Sequence, residues 1–184
     1  TRVRLANPFI LRSVTPPLDV IVGRTVQGVR RMGKRIVIDF GHELHLVIHL
    51  MIAGRLRWRP VGGKVPGKLG IAYFDFPHGI LILTEAGTKR RASLTLVQGE
   101  EALRQFDRGG LEPLDATFEA FAERLRRENH TLKRSLTDPR LFSGIGNAFS
   151  DEILHRARLS PLLLTTRLDD ATIERLRLAT MDVL

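Results

Sequence analysis

Strand-like and helix-like segments are segregated along this chain, and no other feature constrains its fold as strongly. The alternating stretch Val3-Arg4-Leu5 opens a first half made of short apolar or alternating runs. Runs at 9–14, 24–30, 35–40, 44–50, 55–58, 71–76, 80–84 and 93–97 read as strands. They are punctuated by Met32-Gly33-Lys34, the turn Gly41-His42-Glu43, a Gly/Pro/Lys-rich loop over 59–68 and the hairpin turn Pro77-His78-Gly79. The second half shows three- and four-residue apolar spacing instead, over 100–106, 118–127, 131–136, 148–157 and 169–184. Strands followed by helices predict an α+β chain: an N-terminal antiparallel β-sandwich, then a helical domain. The linker 107–113 carries Gly109-Gly110, and the expected boundary lies near Glu112-Pro113, giving domains 1–112 and 113–184.

Composition narrows the function. With 29 Lys+Arg against 20 Asp+Glu the net charge is +9, which favours a polyanionic partner. No apolar run approaches the roughly 18–20 residues of a membrane span, and no basic amphipathic segment carries bulky anchors, so nucleic acid ranks above membrane. Cysteine is absent, which excludes disulfides, thiol nucleophiles and thiolate metal sites within these 184 residues. A cytoplasmic, reducing setting fits. The chain opens on Thr1 and stops at Leu184 inside a helical pattern, so it reads as an interior piece of a longer protein.

The strongest local candidate for ligand binding is Ser143-Gly144-Ile145-Gly146-Asn147, where a helix begins. Asn147 is a favoured N-cap type, and Phe149, Ile153 and Ala157 then share a helix face. Gly144 and Gly146 permit positive φ and close approach. Free N–H groups and the positive end of the helix dipole suit a phosphate, with Lys133, Arg134 and Arg140 just upstream. A bare Gly-x-Gly-Asn is nevertheless more often an ordinary capped helix. Asp151 and Glu152 also suit the dipole, and weakly oppose phosphate.

The order of motifs adds to this reading. Leu132-Lys133-Arg134-Ser135-Leu136, the run from Leu141 through Asn147 to Leu154, and Leu159-Ser160-Pro161 resemble the helix–two-turns–helix region of the formamidopyrimidine-DNA glycosylase and endonuclease VIII family. Upstream, Arg31-Met32-Gly33-Lys34-Arg35-Ile36 resembles its Arg-x-Gly-Lys strand entry. His49-Leu50-Met51-Ile52-Ala53-Gly54 resembles its His-Leu-x-Met-x-Gly stretch, and Gly110-Leu111-Glu112-Pro113 its Gly-x-(Asp/Glu)-Pro linker. The resemblance spans nearly the whole chain.

That resemblance implies a β-sandwich and a helical domain with DNA in the cleft between them. It implies excision of oxidised bases from damaged double-stranded DNA, strand scission at the abasic site, a flipped nucleotide, and a monomeric protein of the bacterial cytoplasm and nucleoid. Asn147, beside Gly146, matches the asparagine that holds the phosphate next to the lesion, and Lys133 a phosphate-contacting lysine. Asn129 falls where the family places another DNA contact, with a different residue type. Lys34 matches a lysine that assists lyase chemistry. Met51 and Ile52 fall at the wedge that fills the gap, with Ile52 the wedge by register. Lys89, Arg90 and Arg91 fall near an Arg-Arg-Phe that probes the same gap.

The departures are equally specific. The family's nucleophile is an N-terminal proline followed by a glutamate acid, and no Pro-Glu-Leu-Pro start is present; the first proline is Pro8. Without cysteine these residues hold no zinc finger, so zinc is expected only in a parent that carries one, and no other cofactor is expected. Leu69-Gly70-Ile71, following Lys68, which is a further DNA-binding candidate, replaces the family His-Asp-His after the loop. The alternative is therefore a nucleic-acid-binding module of the same fold without glycosylase activity.

Other signals carry less. His45 and His49 on one strand face would sit roughly 13 Å apart at ~3.3 Å per residue, too far for one zinc. Glu85 reads as a solvated loop charge or a partner of Lys89, Trp58 and Phe74 as core, and 124–127 as a solvated helix face.

Overall fold

In the computed structural model, which describes residues 1–64, 67, 69–86 and 89–184, the segregation of strands and helices is the architecture. Among the described residues eight strands form two four-stranded antiparallel sheets. One has the order β1 (Arg2–Leu5), β6 (Gly70–Phe76), β7 (Gly79–Glu85), β5 (Gly54–Pro60); the other has β2 (Gly28–Met32), β3 (Arg35–Asp39), β4 (Leu44–His49), β8 (Ser93–Gln98). Their facing sides bury Ile38, Leu46, Ile48, Phe74, Leu83, Leu94 and Leu96 in one core. Alternation explains the split: in β4, Leu44, Leu46 and Ile48 join that core, whereas Val47 faces away. Leu103 of α1 (Glu100–Arg104) covers Val47 and Val37 on the outer side. β4 is therefore buried on both faces from Leu44 to Ile48, and His45 alone interrupts its apolar residues there.

Two expected strands shift or vanish. Residues 9–14 do not form one. Pro8–Ile10 is a 3₁₀ turn begun by Asn7, whose side-chain oxygen accepts the Phe9 N–H at 3.1 Å. Phe9 is 81% exposed while Ile10 is buried, and Leu11 makes a single parallel bridge to Leu94. The strand expected over 24–30 begins only at Gly28, because Ile21 turns inward from the 3₁₀ segment Leu18–Ile21 to plug the core. Trp58, expected in the core, is half exposed at a sandwich edge, stacked on Phe76 at 5.8 Å.

The sandwich unit comprises Thr1–Phe106 and the helical unit Asp107–Leu184. The boundary thus falls ahead of Glu112-Pro113, because the linker residues bond into the helical unit: Leu111 N–H donates to the Leu141 carbonyl at 2.9 Å, and Ser143 N–H to the Leu111 carbonyl at 2.8 Å. The helices are α2 (Phe118–Arg126), α3 (Leu132–Thr137), α4 (Asn147–Ala157) and α5 (Asp170–Val183). Phe121, Leu125, Leu136, Phe142, Ile153, Ile173 and Leu176 meet in their common core. Side chains cap two of them: Thr117 accepts from the Ala120 N–H and Asp169 from the Thr172 N–H. Among the described residues no helix is long and apolar enough to cross a membrane.

Candidate nucleic-acid interface

In the sandwich unit, strand register gathers the candidate residues at one end. Gly33 and Lys34 form the two-residue link between β2 and β3, closed by the pair Met32↔Arg35. Gly33 takes φ +57, the left-handed conformation that glycine supplies at the first central position of such a hairpin. Lys34 is exposed at the tip. Arg35 pairs with His49 across the sheet, and His49 with Ser93. The hairpin tip, the β4–β5 turn that follows His49, and the stretch 89–92 that precedes Ser93 therefore all emerge at the same end. Burial, and then the charges of Arg35 and Lys34, hold the His49 pKa below its usual value, so the imidazole stays neutral beside this basic rim.

The β4–β5 turn presents the two wedge candidates. Gly54 N–H donates to the Leu50 carbonyl at 2.9 Å, rolling the chain into one tight turn. A Cβ on Gly54 would collide with that carbonyl oxygen, so only glycine closes the turn. Arg55 reinforces it from outside, its guanidinium donating to the carbonyls of Ile52 and Gly54 at 3.0 and 2.7 Å. Met51 is held at φ +54, and Ile52 projects with 84% of its surface exposed. Lys89 and Arg91 lie across a cavity of about 260 Å³ from Met51 and Ile52, with Ala53 and Glu85 as further walls. Met51, Ile52, Lys89 and Arg91 thus line one cavity, Arg90 lies between the last two in the chain, and Lys34 emerges at the same end of its sheet; Lys68 lies outside the described residues.

Glu85 corrects its expected role. Far from solvated, it is 2% exposed. Its carboxylate accepts the Arg91 N–H at 2.8 Å and the Ala92 N–H at 3.1 and 3.3 Å. A buried charge is retained only when hydrogen-bonded. Here the donors are backbone groups, which a search for basic side-chain partners cannot reveal.

In the helical unit the glycine loop connects α3 to α4. Gly144 takes φ +82, but Gly146 is extended at φ −119, ψ −179, a conformation open to any residue. Gly146, not Asn147, is the N-cap: its carbonyl accepts the Ser150 N–H at 2.9 Å, so the helix starts one residue earlier than expected. The Asn147 side chain makes no capping bond and is exposed in the first turn, beside the free N–H groups. The buried face of α4 is Ser150, Ile153, Leu154 and Ala157; Phe149, expected on it, is 47% exposed.

Lys133 comes to this helix directly. Its ammonium bonds both Asp151 oxygens, at 2.7 and 2.8 Å, and Asp151 lies one turn along from Asn147. Arg140, counted as a free charge from sequence, is instead committed to Asp138 at 2.6 Å. That bond lowers the Asp138 pKa to about 2. Asn129 is exposed, and its side-chain oxygen accepts the Thr166 hydroxyl at 3.1 Å. Gly110 of the linker packs directly against the glycine loop. A Cβ there would lie 2.9 Å from Phe142 C and Ser143 N and closer still to the Pro139 carbonyl oxygen, so glycine lets the linker lie against the loop. Chemically, the helical unit offers an amide, an ammonium and helix N–H groups to one anion, and the sandwich end offers cations around an apolar projection. The sequence contains no cysteine, and among the described residues no group of three His, Asp or Glu converges.

Comparison with known proteins assigns both units. Residues 1–103 match the formamidopyrimidine-DNA glycosylase N-terminal domain, and residues 110–184 the formamidopyrimidine-DNA glycosylase H2TH domain. The chain is 34% identical over 173 residues to the formamidopyrimidine-DNA glycosylase of Solibacter usitatus, covering 93% of this chain and 61% of that protein. It is 31% identical over 191 residues to that of Pelotomaculum thermopropionicum, covering all of this chain and 68% of that protein. A crystal structure of the Lactococcus lactis enzyme, bound non-covalently to DNA containing an AP site, superposes with a TM-score of 0.84 at 25% identity, over 98% of this chain and 70% of that one. The chain spans about two thirds of the length of these relatives or less. With both of its units matched in order, this chain belongs to the formamidopyrimidine-DNA glycosylase family.

Proposed function

We propose that this chain is the DNA-gripping body of a base-excision repair glycosylase, acting in the whole protein on oxidised bases and on the abasic site left behind. The observation that carries the reading is the exposed Asn147 amide at the start of α4, with the Lys133 ammonium on Asp151 one turn further along the same helix. In this arrangement the amide and the helix N–H groups donate to a backbone phosphate, and Lys133 supplies charge. A phosphate gripped beside the lesion fixes the register of the duplex without reading its sequence. At the sandwich end, Ile52 and Met51 enter the stack where the damaged nucleotide has swung out, and Lys89, Arg90 and Arg91 hold the strands around the gap. Lys34 lies near the abasic sugar and assists strand scission.

Scission proceeds through an amine that condenses with C1′ of the sugar to a Schiff base. The family assigns that step to an N-terminal proline and its neighbouring glutamate, and these 184 residues contain no Pro-Glu pair. The 184-residue chain is therefore expected to bind abasic duplex without forming a borohydride-trapped adduct. A trapped adduct through Thr1 would overturn that division of labour. A parent protein whose mature sequence begins Pro-Glu supports the glycosylase; one without it supports a binding module of the same fold.

Binding is tested by mobility shift on duplexes of unrelated sequence. Asn147→Ala and Lys133→Ala should each weaken affinity about tenfold on every sequence, as loss of a charge-assisted phosphate contact does. Unchanged affinity in both variants would sink the phosphate grip.

A further inference from the structure

Glu85 is the one buried carboxylate among the described residues of the sandwich unit, and phosphate binding gives it no task. It ends β7, where it stands opposite Gly54, the residue that closes the wedge turn. Its oxygens meanwhile hold the backbone N–H groups of Arg91 and Ala92. One side chain thus anchors the stretch carrying Lys89 and Arg91 to the strand pair carrying Met51 and Ile52, and it forms a wall of the cavity between them. We propose that Glu85 is a positioning residue for lesion recognition, locking the wedge turn and the basic stretch into a single gap-probing unit. This rests on the proposed function.

The chemistry suits that task. A carboxylate accepts from two backbone donors at once, so it fixes the entry of the stretch into β8 whatever the side chains there contact. Lys or Arg, which carry no acceptor, could not replace these bonds, and at 2% exposure the carboxylate is held inside the fold. Without the anchor, Lys89 and Arg91 drift from the wedge, while Asn147 and Lys133 of the other unit are untouched. Glu85 therefore governs the preference for a gapped duplex, not affinity for duplex in general.

The test uses the 184-residue chain and two duplexes, one undamaged and one with an abasic site opposite 2-aminopurine, whose fluorescence reports insertion into the gap. Wild type is expected to prefer the abasic duplex. Glu85→Ala should lose about tenfold of that preference and the fluorescence response, through loss of the bonds to the Arg91 and Ala92 N–H groups. Binding to undamaged duplex should stay unchanged. Glu85→Gln keeps one acceptor oxygen and should retain part of both signals. Glu85→Gln also serves if the alanine variant fails to fold. Unaltered preference and fluorescence in a folded Glu85→Gln or Glu85→Ala protein, or equal loss on both duplexes, overturns the assignment. Ile52→Ser separates the two ideas. If it abolishes the preference while the Glu85 variants keep it, only the role of Glu85 fails. If wild type shows no preference at all, the proposed function fails and this assignment with it.

Discussion

Single side chains in the helical unit have divided loyalties. Lys133 is tied to Asp151, with 39% and 57% of their side chains exposed. An exposed pair of this kind contributes only about 0–1 kcal/mol, so a phosphate can draw the ammonium away. Asp151→Asn should therefore tighten duplex binding by about two- to fivefold, the size of that competition; weaker binding in a direct titration would show that Asp151 instead presents Lys133 to the phosphate. Asp138 acts differently, because Arg140 holds it ionised. Its pKa is lowered from 3.8 to about 2, chiefly by the Arg140 side-chain bond. A lowered carboxyl pKa adds stability that is complete above the unfolded value and is lost as pH falls through the folded one. The wild-type urea midpoint should thus fall between about pH 4 and pH 2 more than that of Asp138→Asn. Parallel decline of the two proteins would remove Asp138 from the acid response. His49 has the same sign. Its lowered pKa means that stability present above about pH 6.5 diminishes as the solution is acidified below it.

At the scale of elements, two glycines set the functional turns by what they leave out. Gly54 closes the wedge turn, and Gly110 lets the linker pair with the approach to the glycine loop. Gly110→Ala should cost about 1–3 kcal/mol, the usual penalty for an added methyl in a filled site, and should weaken duplex binding by shifting Ser143 and Gly144. A variant of unchanged urea midpoint and affinity would show that the loop can give way. The elements themselves were largely legible from the chain. β3, β4, β6 and β7 follow the alternation and apolar runs within a residue or two, as the helices follow their spacing. The expected strand over 9–14 does not form because the Asn7-Pro8 turn signal outweighs the apolar content of the residues after it. At α4 the preferred cap type stood next to the true cap, and the Gly146 carbonyl decided which residue served. The site was legible as residue types but not as partnerships. Nothing local ties Glu85 to N–H groups six and seven residues on, or Lys133 to Asp151 eighteen residues away.

Over the whole molecule, charge and shape act on different observables. A net charge of +9 attracts any duplex, and this attraction weakens with salt as bound counterions cease to be released. Asn147 is neutral. Its loss should lower affinity at every salt concentration and leave the slope of log K against log salt unchanged. Lys133→Ala removes a cation that meets phosphate, so the slope should become shallower by about 0.9 for one lost contact. Ile52→Ser touches neither charge nor phosphate, and should alter only the ratio of abasic to undamaged affinity. Three variants thus read three separable contributions: geometry of the grip, charge, and occupation of the gap. Salt titrations of the four proteins on both duplexes measure all of them together. A slope that shifts for Asn147→Ala, or stays fixed for Lys133→Ala, would mean that affinity comes from diffuse attraction to the basic surface and not from the start of α4.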